Sequence, residues 1–489
     1  MDDDPDRTSA RGDAAGSSWR ELFGGGRGPV LALILLGDWL VAADALVTAT
    51  IMPGVGASLS AFAWFGWAAA AFLTGLVVAG ASAGWLAERL GLRAALILGG
   101  AFFALGCVLS AAAPGIAVFM LGRILQGCAA GWVIGLIYVA LAMLFPPSQL
   151  PRVFALATSV WGIATLAGPL LGGLFADAGL WRGVFWLFAA QAVLFTAAVA
   201  RLIPPSVCRT GSNRFAVRPL ILLGAGIAAM ASAGVVEGVA PAVALGGGGV
   251  GLLLLAFADD RARASGVLPR RAASPGLPIG AAYLAYFATT AAGVAFALYG
   301  PAVLQFRHGL SALEAGYVAA AEALAWTAAG LAVAGAGAAW RGRLIVAGAA
   351  SILAGVTALA LVMNGASLAA VAGAGAVLGA GYGLSYGFIS RRVMAGFDEA
   401  DRARGSSAIG VVRNAGGAVG AALAGLAANA AGFGGGLDEA NVAAVAWAAF
   451  GVGIPFALIG LAAALRLTRR RSPLGPLQAG RAPGITEAA

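Results

Sequence analysis

The placement of arginine constrains this chain more than any motif in it. There are thirty arginines and no lysine. Twenty-six of the arginines fall in polar breaks that alternate with arginine-poor breaks between long apolar runs. Loops left on the cytoplasmic side of a membrane keep Arg and Lys, whereas translocated loops lose them. Every second connection is therefore predicted inside and its neighbours outside. Such a chain crosses a bilayer an even number of times and keeps both ends in the cytoplasm.

Hydropathy agrees with this pattern. The 489 residues are 61% apolar and 10% charged, with a mean hydropathy of +0.91. A soluble protein of this length has too little polar surface to cover so much apolar area. A span needs roughly 20 apolar residues. Fourteen such stretches are present, near 29–53, 62–83, 94–113, 116–144, 154–176, 183–203, 219–237, 241–258, 279–303, 314–339, 344–363, 366–390, 404–430 and 441–466. The regions 94–144 and 344–390 each resemble one long segment, but the arginine alternation requires both to be split. Merging only one would put the arginines beyond it on the wrong side.

The stretches parse as six, two and six, which predicts an all-α integral membrane fold. Residues 1–28 are acidic, Gly-rich and without an apolar core, and read as a disordered cytoplasmic tail rather than a signal peptide. A six-helix bundle is expected over 29–203 and a cytoplasmic linker over 204–218 with Arg209, Arg214 and Arg218. An inserted helix pair follows at 219–258, its second member built around Gly246–Gly249. A second linker, 259–278, carries Arg261, Arg263, Arg270 and Arg271. The second six-helix bundle is expected over 279–466, and the tail 467–489 begins with Arg469, Arg470 and Arg471. Duplicated bundles of this kind are related by an axis along the membrane normal, with a central path between them.

Composition also excludes chemistry. A net charge of +9 would suggest nucleic acid in a soluble protein; here the arginines serve topology and meet anionic headgroups, so the partner is the lipid bilayer and not nucleic acid. Without lysine the phosphate-binding loop cannot exist. A single histidine, His308, excludes a two-His zinc site and leaves little for a Ser-His-Asp arrangement. Cys107, Cys128 and Cys208 are scattered and suggest neither disulfides nor a metal cluster. No metal, cofactor or catalytic group is expected, and a monomeric transporter of small molecules fits better than an enzyme.

The charges inside spans point to the working parts. Asp38, Asp44, Arg123 and Glu322 stand well within apolar runs, where each isolated charge costs roughly 2.5–3.5 kcal/mol on insertion scales. At about 1.5 Å per residue, Asp44, Arg123 and Glu322 fall in one layer roughly 10–14 Å below the outer surface. A carboxylate and a guanidinium at one depth can neutralise each other, and an acid that gains and loses such a partner is what proton coupling requires. Asp44 is the candidate proton carrier, tuned by Arg123 and assisted by Gln126 one turn away; the competing possibility is a static ion pair. Asp38 and Asp44 point about 120° apart on a helix. Asp38 is therefore either a second cavity acid or a group satisfied by a neighbouring helix. Glu322 either faces the cavity, attracting cationic substrates, or makes a hydrogen bond inside its bundle. Arg413 is close enough to the cytoplasmic end of its span to snorkel. Trp161, Tyr286, Trp326, Tyr382 and Tyr386 either line an apolar pocket or pack helices; Tyr382 and Tyr386 share a helix face.

Between spans 2 and 3 the run from Gly84 through Trp85, Glu88, Arg89 and Gly91 to Arg93 must end one helix and start the next, and its glycines permit close backbone approach. Glu88 is also placed to meet the positive N-terminus of span 13, near Arg404. A reduced echo, Trp340-Arg341-Gly342-Arg343, stands at the matching place in the second half. This run resembles the signature loop G-x-L-A-[DE]-R-x-G-R-R of the major facilitator superfamily, with Leu92 in place of one basic residue. Arg123-Ile124-Leu125-Gln126-Gly127 is similar to the family's R-x-x-Q-G in span 4. Gly162 with Gly168-Pro169-Leu170-Leu171-Gly172-Gly173 resembles the span 5 motif of its exporters, and Asp44 with Pro53 resembles the span 1 motif, from which Leu46 and Thr48 depart.

The resemblance and the extra central pair imply the fourteen-span drug:proton antiporter branch in the plasma (inner) membrane. A chain of that branch exports amphipathic molecules in exchange for protons. A proton-linked importer and an exporter of a single metabolite are the alternatives within the class; a membrane sensor or integral membrane enzyme lies outside it. The resemblance further implies that the span 5 motif seals the two bundles together on the outer side. Small residues there admit close helices, and Pro169 removes a backbone donor and can bend the helix.

Overall fold

The computed structural model describes residues 27–146, 149–205, 216–263, 266–269, 274, 276–365, 367–397 and 399–469. Nearly all of the 1–28 and 467–489 tails, most of the 204–218 linker with Arg209, Arg214 and Cys208, and Arg270 and Arg271 lie outside the described residues. The described residues hold sixteen α-helices and no strand. These are α1 (Arg27–Leu59), α2 (Phe65–Gly80), α3 (Ala83–Leu90), α4 (Leu92–Ala111), α5 (Ile116–Leu144), α6 (Leu150–Asp177), α7 (Trp181–Leu202) and α8 (Val217–Ala233). They continue with α9 (Val239–Ala262), α10 (Pro278–His308), α11 (Ala312–Val333), α12 (Ala338–Val362), α13 (Leu368–Ala395), α14 (Glu399–Ala430), α15 (Val442–Gly451) and α16 (Gly453–Arg469).

Thirteen segments among the described residues are long and apolar enough to cross a bilayer. Both predicted splits are present: α4 stops at Ala111 before Pro114-Gly115, and α12 stops at Val362 before Asn364-Gly365. These breakers end helices that hydropathy alone would join. The predicted span 219–237 is instead a 17-residue helix, α8, closed by Gly234 and by Gly238 at φ 97°. Two helices run longer than hydropathy suggested: α1 continues beyond Pro53 to Leu59, and α14 starts at Glu399 rather than near 404. Asp44 is therefore further from the end of its helix than its sequence depth implied.

The helices sort into two groups. In the first, α1 packs on α6 and α7, α2 on α5, and α4 on α5 and α7. In the second, α10 packs on α14 and α16, α12 on α13 and α16, and α11 on α13. The groups meet where α2 lies against α14 and α6 against α11. Helices α8 and α9 pair with each other, and α8 leans on α2 and α14. An Arg218–Asp259 contact of 3.5 Å joins the start of α8 to the end of α9, so the two run antiparallel. Hydrocarbon supplies no hydrophobic drive between helices, so association relies on close backbone packing. Gly226 and Gly249 show it in the α8–α9 pair: a Cβ on Gly226 would lie 2.9 Å from the Gly249 carbonyl oxygen. Leucines such as Leu194, Leu254, Leu331 and Leu361 stay exposed on the outer faces.

Candidate functional site

A closed polar cluster lies inside the first group. Asp44 on α1 is 0% exposed, Arg123 on α5 is 2% exposed, and Gln126, one turn beyond Arg123, is 0% exposed. Arg123 Nη1 donates to Asp44 Oδ2 at 2.9 Å and to Gln126 Oε1 at 3.0 Å. Gln126 Nε2 donates to Asp44 Oδ1 at 3.2 Å and to Cys107 Sγ at 3.1 Å. Ser110 Oγ donates to Gln126 Oε1 at 3.3 Å. The guanidinium also sits 4.5 Å from the centre of the Phe72 ring. Each carboxylate oxygen of Asp44 thus has its own donor, the condition under which a buried ion pair is tolerated. The sequence singled out Asp44, Arg123 and Gln126 but missed Cys107, Ser110 and Phe72. The overlooked signal is Gly106 with Gly122. A Cβ on Gly106 would lie 2.8 Å from Gln126 Cγ, and one on Gly122 would lie 2.8 Å from the Gly106 carbonyl oxygen. Only bare backbones let α4 come near enough to α5 for Cys107 and Ser110 to reach Gln126.

The two groups are clasped at the end opposite the arginine-rich loops. On one side, a Cβ on Gly316 of α11 would lie 2.9 Å from Pro169 Cβ of α6, and Gly173 faces Leu313 across the same contact. Gly168 and Gly172 instead face Leu46 and Thr50 of α1. The span 5 motif therefore divides its glycines between its own group and the other. Gly162 touches nothing within 4 Å and does not serve this packing. Asp177, which the sequence reading passed over, accepts from the amides of Ala312 at 2.7 Å and Leu313 at 3.3 Å. A carboxylate at the end of α6 thereby satisfies the orphan N–H groups at the start of α11 in the other group.

The other side is closed where a Cβ on Gly66 would lie 2.6 Å from Gly425 Cα. There Phe433 meets Phe65 at 4.9 Å and Phe62 at 5.8 Å. Asn429 Nδ2 donates to the carbonyls of Ala63 at 2.7 Å and Gly234 at 2.8 Å, which ties the first group, the α8–α9 pair and the second group together.

Gly91, between α3 and α4, has φ 77°, so glycine is required there by conformation. Gly84 lies inside α3 with nothing within 4 Å, so the expected close approach does not occur at that glycine. The connection is a short helix rather than a bare loop. Arg93 donates to the carbonyl of Ala200 at the end of α7, and Arg89 lies 5.3 Å from the Trp85 ring. Glu88 is not free of partners, while the side chain of Arg404, near the expected contact, lies outside the described residues.

Among the cavity candidates, the second group gathers an aromatic cluster. Trp326 lies 5.1 Å from Tyr382 and 5.6 Å from Tyr386, and Tyr286 lies 4.7 Å from Tyr386. Tyr286 is buried and its hydroxyl donates to the Tyr386 carbonyl at 2.6 Å, so it backs the cluster rather than lining an open surface. The other two phenols are also engaged, Tyr382 on the Thr289 carbonyl at 3.2 Å and Tyr386 with Thr290 Oγ1 at 2.8 Å. Trp326 is the half-buried ring among them. Trp161 is exposed on α6 and joins no ring cluster among the described residues. Asp38 is buried, does not meet Asp44, and makes no hydrogen bond or ion pair among the described residues. Glu322 is half-buried and likewise has no such partner there. Arg413 lies fourteen residues into α14, about 21 Å from its start. The apolar span within that helix begins only at Ser407, so the guanidinium stands about 9 Å inside it.

Paired six-span groups with a clasped end and buried charges within are the architecture of a transporter, and known proteins bear this out. Residues 34–421 match the family model of the Major Facilitator Superfamily. The chain is 31% identical over 431 residues to a probable multidrug-efflux transporter of Mycobacterium tuberculosis, an alignment covering 85% of this chain and 90% of that one. It is 27% identical over 187 residues to the tetracenomycin C resistance and export protein of Streptomyces glaucescens, covering 36% of this chain and 35% of that one. A solved POT family transporter in complex with 5-aminolevulinic acid superposes with a TM-score of 0.65 at 12% identity, covering 94% of this chain and 99% of that one. A D-xylose-proton symporter does so with a TM-score of 0.64 at 16% identity, covering 90% and 96%. At these identities the solved structures speak for the fold alone. The chain belongs to the Major Facilitator Superfamily. It is a multi-pass membrane transporter of small molecules and not an enzyme.

Proposed function

We propose that this chain exports amphipathic small molecules in exchange for protons, by rocking its two helix groups about a central cleft. The observation that carries the reading is the enclosed Asp44–Arg123–Gln126 cluster, a titratable carboxylate in a helix group whose partner group holds the aromatic cluster. Separate places for proton and substrate are what coupled exchange needs. The multidrug-efflux relative supports export and a broad substrate range. The clasps at Asp177 and Asn429 support a state shut at the end opposite the arginine-rich loops. In this reading Asp44 carries the proton, Arg123 and Gln126 set its affinity, and Gly168, Pro169, Gly172 and Gly173 form the outer gate.

The same reading takes α8 as a fourteenth span. At 17 residues it is about 25 Å long, and the turn at 234–238 completes the crossing. The chain then divides at 203, 219, 258 and 279, with both termini in the cytoplasm, in the plasma membrane, as a monomer.

Efflux of ethidium from cells expressing the protein tests the coupling. A protonophore should abolish efflux, and Asp44→Asn should abolish efflux per molecule of protein in the membrane. Efflux that persists in Asp44→Asn removes Asp44 from the mechanism, and wild-type efflux that ignores the protonophore removes proton coupling.

A further inference from the structure

Four arginines depart from the arginine-rich connections: Arg123, Arg182, Arg307 and Arg413. Three are held. Arg123 pairs with Asp44 at 2.9 Å. Arg182 donates to the Ala113 carbonyl at 3.0 Å and lies over the Trp181 ring at 4.1 Å. Arg307 pairs with Glu439 at 3.0 Å. Arg413 has no hydrogen bond or ion pair among the described residues. It shares a helix face with Gly417, one turn on, where a Cβ would lie 3.3 Å from Leu73 Cδ1 of α2 in the first group and 3.6 Å from Thr290 Cγ2 of α10 in the second. That face of α14 lies between the two groups.

Glu322 is the counterpart. It too has no hydrogen bond or ion pair among the described residues, and it shares a helix face with Trp326, one turn on. Tyr386 links the two faces: its ring lies 5.6 Å from Trp326 and its hydroxyl 2.8 Å from Thr290 Oγ1. The tyrosine hydroxyls are committed to Thr289 and Thr290, so they answer neither charge. Glu322 stands ten residues from the clasped end of α11, and Arg413 seventeen residues from the clasped end of α14. At 1.5 Å per residue the acid lies about 10 Å nearer the clasped end than the guanidinium. Charges left bare at membrane depth are costly unless something completes them.

We propose that the cleft selects zwitterionic amphipaths. The apolar body rests on Trp326, a cationic group turns toward Glu322 at the clasped end, and an anionic group meets Arg413 toward the arginine-rich end. This inference rests on the cleft being the substrate path, and it adds the charge pattern and orientation of the substrate.

The test measures binding to purified protein in nanodiscs by fluorescence polarisation, with rhodamine B as the zwitterion and its ethyl ester as the cation on the same ring system. Wild type should prefer rhodamine B. Arg413→Gln should weaken rhodamine B by about tenfold, the loss of roughly one charge-assisted contact, and leave the ester nearly unchanged. Unaltered ester binding also shows that the variant is folded. Arg413→Lys should keep most of the preference, and Glu322→Gln should weaken both dyes. An unchanged dye ratio in Arg413→Gln overturns the inference. So does equal loss of both dyes, which would place the guanidinium in closure of the cleft, for instance opposite Asp38. Failure of wild type to bind either dye overturns the substrate-path reading itself.

Discussion

Asp44 and Arg123 sit where water cannot reach, so the cost of each charge is offset only by the other and by Gln126. Breaking such a pair leaves a bare buried charge, which costs about 3–5 kcal/mol, whereas replacing both partners with apolar groups is often nearly neutral. Arg123→Met alone should therefore lower the melting temperature of the purified protein sharply. The double variant Asp44→Leu with Arg123→Met should melt closer to wild type than that single variant does. Melting that falls additively would mean that the two side chains do not share a cluster. Gln126→Leu strips a donor from Asp44 and should cost about 1–3 kcal/mol, read in the same melts. At this scale the sequence was informative about the charged members, because an ionisable residue in an apolar run is conspicuous. Cys107 and Ser110 were silent, because both are ordinary in a membrane span.

Helix ends and crossings carry the next level. Asp177 caps α11 from the other group, so its contribution exists only while the clasp is closed. Asp177→Ala should weaken that closed state by about 0.5–2 kcal/mol, the usual worth of a cap. Asn429→Ala acts on the opposite side of the clasp and should add to it, since α6–α11 and α2–α14 are separate contacts. The two glycines that frame α3 separate by the same logic. Gly91 holds φ 77°, and Gly91→Ala should destabilise by about 1–2 kcal/mol. Gly84 is helical with open space around it, so Gly84→Ala should be neutral or stabilise by about 0.5–1 kcal/mol. Thermal melts of the two variants moving in the same direction would refute that distinction. Motif spelling alone treats the two glycines alike, and only the backbone angles tell them apart.

For the molecule as a whole, the clasped end offers a direct probe of motion. A Cβ on Gly434 would lie 3.4 Å from Ala63 Cβ, across the two groups, close to disulfide spacing. Ala63→Cys with Gly434→Cys should crosslink under mild oxidation, arrest efflux, and release it again on reduction. Crosslinking without arrest would mean that this end does not open during transport. Asp177→Ala should lower the crosslink yield, linking the cap to the state of the entire assembly. The sequence by itself determined that the chain threads a bilayer, which connections share a side, where long apolar runs divide, and which span holds each buried charge. These are properties of one segment and its solvent, and hydropathy with arginine placement records them locally. Only the tertiary structure decided that Cys107 and Ser110 close on Gln126, that Asp177 and Asn429 bridge the groups, and that Arg413 shares the face of α14 that meets both groups. Those outcomes depend on how near two distant helices approach, which single glycines such as Gly106, Gly122, Gly66 and Gly425 set through backbone contact, and no local pattern encodes which helix stands opposite.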